Sequence, residues 1–156
     1  MKKIIVLSGA SNAGKTTTLN SLADHLSKMP GAIPAQGQKT PHVDGHDDQY
    51  YFDIAIPSVG TTRTRIGVST CGDNVWCIKK GFDYFRKNNC DYCFIASKQC
   101  GCSISQIEDE AHGLGITPVY MFLIRYSDSR NPSGKQIRTW AQLQSDVVIQ
   151  LASLIQ

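Results

Sequence analysis

The opening stretch KKIIVLSGASNAGKTTTLNSLADHL, which begins at Lys2, constrains this chain more than any other. A short apolar run, Ile4 to Leu7, leads into a loop bounded by Gly9 and Gly14. Lys15 and Thr16 then open a segment with Leu19, Leu22, Leu26 and Met29 on one side. The continuous apolar run reads as a strand. The three-and-four spacing reads as a helix from about Gly14 to Met29, ended by Pro30 and Gly31. Glycine at both ends lets the loop backbone curl, so that consecutive N–H groups point inward as a nest for an anion. The helix that follows adds its unpaired first-turn N–H groups and the positive end of its dipole. Lys15 contributes a point charge and Thr16 a hydroxyl. Together these features predict a phosphate site.

Strands and helices alternate through the rest of the chain. Residues 30–48, PGAIPAQGQKTPHVDGHDD, show no period and read as a long loop. QYYFDIAI and TRIGVST, joined by PSVGTT with its Pro57 and Gly60, predict an antiparallel hairpin over residues 49–70. A helix is expected from about Asn74, with Val75, Ile78, Phe82 and Phe85 as its apolar side and Asn88-Asn89 as its stop. Then come a strand, DYCFIAS, and a short helix opening at Ser103, which has capping-box spacing to Gln106. TPVYMFLIR is a further strand, and Trp140, Leu143, Val147, Leu151 and Leu154 give the last helix its seam. Strands this apolar need cover on both faces, so the expected fold is α/β: one three-layer α/β/α domain over residues 1–156 with a mostly parallel sheet. A chain of 156 residues is long enough to bury such a core.

Gly9-Ala10-Ser11-Asn12-Ala13-Gly14-Lys15-Thr16 fits the pattern G-x-x-x-x-G-K-[ST] without departure. Chance produces such an octapeptide in roughly one in a few hundred chains of this length, and the flanking strand and helix make coincidence rarer. The chain resembles the P-loop NTPase superfamily, and this Walker A motif carries the resemblance. The resemblance implies the P-loop type of α/β fold and binding of a nucleoside triphosphate with magnesium. ATP is the expected nucleotide, with the base preference left open. The same motif, with Thr17 after it, is the expected phosphate cradle; Lys15 is expected at the β- and γ-phosphates and Thr16 in the magnesium shell.

Enzymes of this kind hold magnesium through water with a carboxylate at the C-terminal end of a neighbouring strand. TRIGVSTCGDN offers Asp73 for that place, which makes Asp73 the expected metal partner beside Thr16 and, with Lys15, the expected catalytic residue. Asp73 also precedes a helix and suits an N-cap, and at the level of sequence both roles stand open. Asp53 lies inside its strand and Asp91 at the start of one, so they rank lower. Ras-type GTPases carry aspartate-x-x-glycine where this chain reads Gly72-Asp73, and asparagine-lysine-x-aspartate where its later strand ends IASKQCG. Kinases of the adenylate or gluconate type carry a lid with two or more arginines, whereas SKQCGCSISQ holds only Lys98. Arg125 and Arg130 follow a strand end, as adenine-stacking groups or as surface residues. HVDGHDD contributes His42, Asp44, His46, Asp47 and Asp48, either a general base toward an acceptor hydroxyl or a polar loop tip.

The net charge of +3 comes without a block of lysines and arginines, so no nucleic-acid surface is marked; Arg63 and Arg65 read as solvated surface. No apolar run approaches the ~20 residues that cross a bilayer, and the first is too short for a signal-peptide core, so the expected location is the cytoplasm. Cys90, Cys93, Cys100 and Cys102 could be read as a zinc site, but residues three apart on a strand face opposite ways, and core packing is the expectation. Two functions compete. One is a kinase-like enzyme that transfers or hydrolyses the γ-phosphate of ATP, with a small-molecule acceptor. The other is a regulatory switch with slow hydrolysis and a protein partner.

Overall fold

Alternation along one strand sets the architecture. β1 (Lys3–Gly9) sends Ile5 and Leu7 into one apolar layer and Ile4 and Val6 into another, as the two-residue period of a strand requires. The computed structural model describes residues 1–11, 13–34, 49–55, 63–99, 101–123 and 146–153. On the Ile5 side lie α1 (Lys15–Ser27) and α4 (146–153), through Leu19, Leu22, Leu26, Val148 and Leu151. On the Ile4 side lie α2 (Val75–Lys87) and α3 (Cys102–Gly113), through Ile78, Phe82, Phe85, Ile107 and Ala111. Each fully buried leucine of α1 contributes about 2 kcal/mol relative to exposure, which fixes that helix to the sheet.

The remaining strands are β2 (Ile33–Pro34), β3 (Gln49–Ala55), β4 (Arg63–Ser69), β5 (Tyr92–Lys98) and β6 (Val119–Leu123). They form a six-stranded sheet in the order β2-β3-β4-β5-β1-β6. β4, β5, β1 and β6 run parallel, while β3 lies antiparallel to β4, and β2 to β3. The antiparallel pairing expected over residues 49–70 is therefore present, from Gln49↔Ser69 to Ala55↔Arg63; residues 56–62 lie outside the described ones. The domain is α/β, with helices on both faces of a sheet in which four adjacent strands, β4-β5-β1-β6, are parallel.

Several local expectations need correction. Asn74, not Asp73, caps α2: its backbone is extended and its side chain accepts the Cys77 N–H at 2.9 Å. α3 opens one residue before Ser103, behind Gly101 at φ 94, so Ser103 stands inside the helix and no capping box forms. The stretch 30–48 is not loop throughout, since Ile33 and Pro34 pair with Asp53 and Phe52. Its remainder from residue 35 lies outside the described residues, as do Trp140, Leu143 and Leu154 of the last helix. Arg65 is not simply solvated, because its guanidinium donates to the Asn88 carbonyl at 2.9 Å.

Cys90 and Cys93 are buried among core side chains, and burial together with the neighbouring Cys90 pushes the Cys93 thiol up, so it stays protonated. Cys102 is exposed, and Cys100 lies outside the described residues. Cys71 and Cys77 form a disulfide across the β4–α2 connection, a pairing that the weighing of the four later cysteines did not foresee. Among the described residues no helix is long and apolar enough to cross a membrane.

Candidate functional site

Parallel strands followed by helices bring several helix N-termini to one edge of the sheet. β1 ends at Gly9 and β5 at Lys98, and these two residues are register partners; on the other side of β1, Gly9 pairs with Leu123. Residues 10–14 lead from that edge into α1. Gly14 sits at the N-cap with φ 84, a left-handed conformation that glycine adopts without the penalty of about 1–2 kcal/mol other residues incur. Within the loop, Ala13 N–H donates to the Ala10 carbonyl at 3.2 Å, and the Thr18 hydroxyl donates to the Gly14 carbonyl at 2.9 Å. Among the described residues no side chain caps α1, and its first turn holds no acid, so the positive end of its dipole faces the loop.

Lys15 lies in that first turn and is only 8% exposed. Its ammonium folds back over the loop and donates to the carbonyls of Gly9 at 3.0 Å and Ala10 at 2.8 Å. Its pKa is lowered, first by desolvation; Asp73 pulls it up and Lys98 pushes it down. Among the described residues its hydrogen bonds go to neutral carbonyls, which leaves it a cation poised for a stronger acceptor. Thr16 is half-buried beside it, whereas Ala10, Ser11 and Thr17 are exposed and Ala13 is partly buried. Asn12 lies outside the described residues.

Asp73 reaches this edge by an indirect route. β4, whose end it follows, is not the neighbour of β1, because β5 stands between them. The connection crosses the end of β5 at Gly72, where a Cβ would stand 2.7 Å from the Ser97 nitrogen and closer still to the Ala96 carbonyl. Only glycine permits that approach. It carries Asp73 over β5 into the field of Lys15. With capping assigned to Asn74, the exposed Asp73 carboxylate is not engaged by the helix.

Of the other candidate acids, the two among the described residues stand apart. Asp91 braces the opposite end of the strands: its carboxylate accepts the Arg65 N–H at 3.1 Å and lies 3.4 Å from the Lys2 ammonium. Asp53 sits within β3, paired in register with Arg65. His42, Asp44, His46, Asp47, Asp48, Arg125 and Arg130 lie outside the described residues. Sequence reasoning missed Gly72 as a crossing point and missed the buried hydroxyls beneath the edge. Ser8 and Ser97 donate to the Lys98 carbonyl at 3.1 and 2.8 Å, and Ser97 lies 3.4 Å from Ser103. Serines at three apolar strand or helix ends were the available signal. Among the described residues, no three histidine, cysteine or acidic side chains gather as a metal cluster. Comparison with protein-family models, with curated proteins and with solved structures finds no match to this chain.

Proposed function

We propose that the protein is a P-loop NTPase that binds a nucleoside triphosphate with magnesium, ATP by expectation, and transfers or hydrolyses its γ-phosphate. Lys15 carries this proposal: a buried ammonium in the first turn of α1, folded back over a glycine-bounded loop that follows a parallel strand, and donating to the Gly9 and Ala10 carbonyls. A phosphate entering the loop would meet the backbone N–H groups at the start of α1 and the positive end of its dipole. Lys15 then exchanges neutral carbonyl acceptors for charged phosphate oxygens, and charge-assisted hydrogen bonds are roughly twice as strong as neutral ones. That exchange offsets the desolvation that lowers its pKa in the free protein.

Thr16 and Asp73 suit magnesium, which takes few protein ligands and completes its shell with water and phosphate oxygens. When bound, the ion would neutralise charge on the β- and γ-phosphates. Thr16 would hold it directly and Asp73 through water. One carboxylate and one hydroxyl agree with that mode better than with a cage built wholly of protein ligands.

A second reading, a nucleotide-dependent switch with slow hydrolysis and a protein partner, is favoured by one observation. SKQCGCSISQ, where a kinase lid would fall and where only Lys98 carries positive charge, contains the end of β5 and the opening of α3. The test incubates the protein and Lys15→Ala with γ-labelled ATP, magnesium and a pool of nucleosides, nucleotides and sugars. A labelled product absent with the variant identifies a kinase and its acceptor class. Labelled phosphate alone supports the switch, and no Lys15-dependent binding or turnover counts against the proposal.

A further inference from the structure

Lys98 is the last residue of β5, and the fold gives it a position that its sequence context does not announce. Phe94 and Ala96 of the same strand face the layer occupied by α1, so the two-residue period turns Lys98 to that side as well. In β1, Leu7 faces the same layer, and Gly9 follows it with the same parity. Gly9 and Lys98 are register partners. The lysine therefore stands beside the first residue of the loop, on the face where α1 and Lys15 begin. Its backbone is held there by two serine hydroxyls, from Ser8 and Ser97, that donate to its carbonyl at 3.1 and 2.8 Å. Its side chain is partly buried, and among the described residues no carboxylate pairs with it.

We propose that Lys98 is a second phosphate-binding cation of this site, contacting the terminal phosphoryl of a bound triphosphate from the adjacent strand and supplying in cis the charge that lid arginines supply in other kinases. The inference rests on the triphosphate reading above and adds the residue that distinguishes a triphosphate from a diphosphate. Lys98 is close enough to Lys15 to depress its pKa, as a cation converging on the same point does. Two like charges held together at a strand end repel each other in the free protein. A polyanion between them converts that repulsion into attraction for both.

In the transfer step, the bond from the γ-phosphorus to the bridging oxygen breaks, and the nucleoside diphosphate leaves with the electron pair. A bond forms from phosphorus to the oxygen of water or of an acceptor hydroxyl, whose proton passes to solvent. Lys98 neither gives nor takes a proton. It offsets the negative charge on the equatorial oxygens and the leaving bridge.

The test is calorimetric titration of the full chain with magnesium and either ADP or a non-hydrolysable ATP analogue, alongside γ-phosphate release from ATP. Wild type, Lys98→Met, Lys98→Arg and Lys15→Ala are compared. Lys98→Met is expected to lose at least tenfold in triphosphate affinity while diphosphate affinity stays within about twofold, with phosphate release falling about 100-fold where it is measurable. Lys98→Arg is expected to recover most of the triphosphate preference. Equal losses for both nucleotides, or none, would overturn the role of Lys98 while leaving the triphosphate reading intact if Lys15→Ala still abolishes binding. Failure of wild type to bind either nucleotide would overturn the reading and this inference together.

Discussion

Replacing Gly72 by alanine tests how Asp73 comes to its place. The added Cβ would lie 2.7 Å from the Ser97 nitrogen and nearer still to the carbonyl carbon and oxygen of Ala96. All three obstacles are backbone atoms of β5, which is hydrogen-bonded to β4 on one side and β1 on the other. They cannot rotate aside, so the β4–α2 connection must retreat by roughly 1 Å, and overpacking of this kind costs about 3 kcal/mol. For a chain of this length that corresponds to a fall in Tm of about 6–12 °C. Gly67→Ala is the matched comparison: its Cβ would meet side-chain atoms, Phe85 Cδ1 at 2.6 Å and Cys90 Sγ at 2.8 Å, away from the sheet edge. Urea unfolding and Mg-dependent triphosphate titration are measured on both. Each variant should lose stability, but only Gly72→Ala should also lose the part of the affinity that depends on magnesium. Wild-type stability in Gly72→Ala, within about 0.5 kcal/mol, would refute the crossing as described.

Asn74→Ala should cost about 1 kcal/mol in urea unfolding with nucleotide affinity unchanged, since it removes the bond to the Cys77 N–H. Asp73→Asn should do the reverse, weakening only the magnesium-dependent binding; a large stability loss would return the capping role to Asp73. Leu22→Ala, in the fully buried seam of α1, should cost about 3 kcal/mol by the same assay. Lys15→Met should flatten the pH dependence of stability in the ligand-free protein. The folded-state pKa of Lys15 lies below its ordinary 10.5, so the unfolded chain holds that proton more tightly. Wild-type stability from this group is therefore lowest below the depressed pKa and rises toward pH 10.5, a slope that Lys15→Met should lack; an unchanged slope in chemical denaturation would contradict the assignment.

Local patterns were readable where one element decides the outcome. The apolar spacing of Leu19, Leu22 and Leu26, or of Ile78, Phe82 and Phe85, encodes which side of a helix is buried, and the sheet merely accepts it. The β3–β4 pairing was readable because short connections favour neighbouring antiparallel strands. Strand order was not. Nothing local in residues 92–98 says that they insert between β4 and β1, and without that order neither the crossing at Gly72 nor the placement of Lys98 can be foreseen. The capping errors share a cause: Asp73 and Asn74 are both good caps, and Gly101 with its positive φ starts α3 where the Ser103 spacing pointed one step later. The Cys71–Cys77 pair, whose Cα atoms are 5.3 Å apart, depends on how the chain turns from β4 into α2.

The most direct test of the central claim is a calorimetric titration of wild type and Lys15→Ala with magnesium and a non-hydrolysable ATP analogue, with circular dichroism showing both to be folded. Saturable binding by wild type and an affinity at least about 100-fold lower in the variant are predicted, since a charged hydrogen-bonding group is worth about 1.5–3 kcal/mol for each bond lost. Equal affinities, or no binding by wild type, would contradict it.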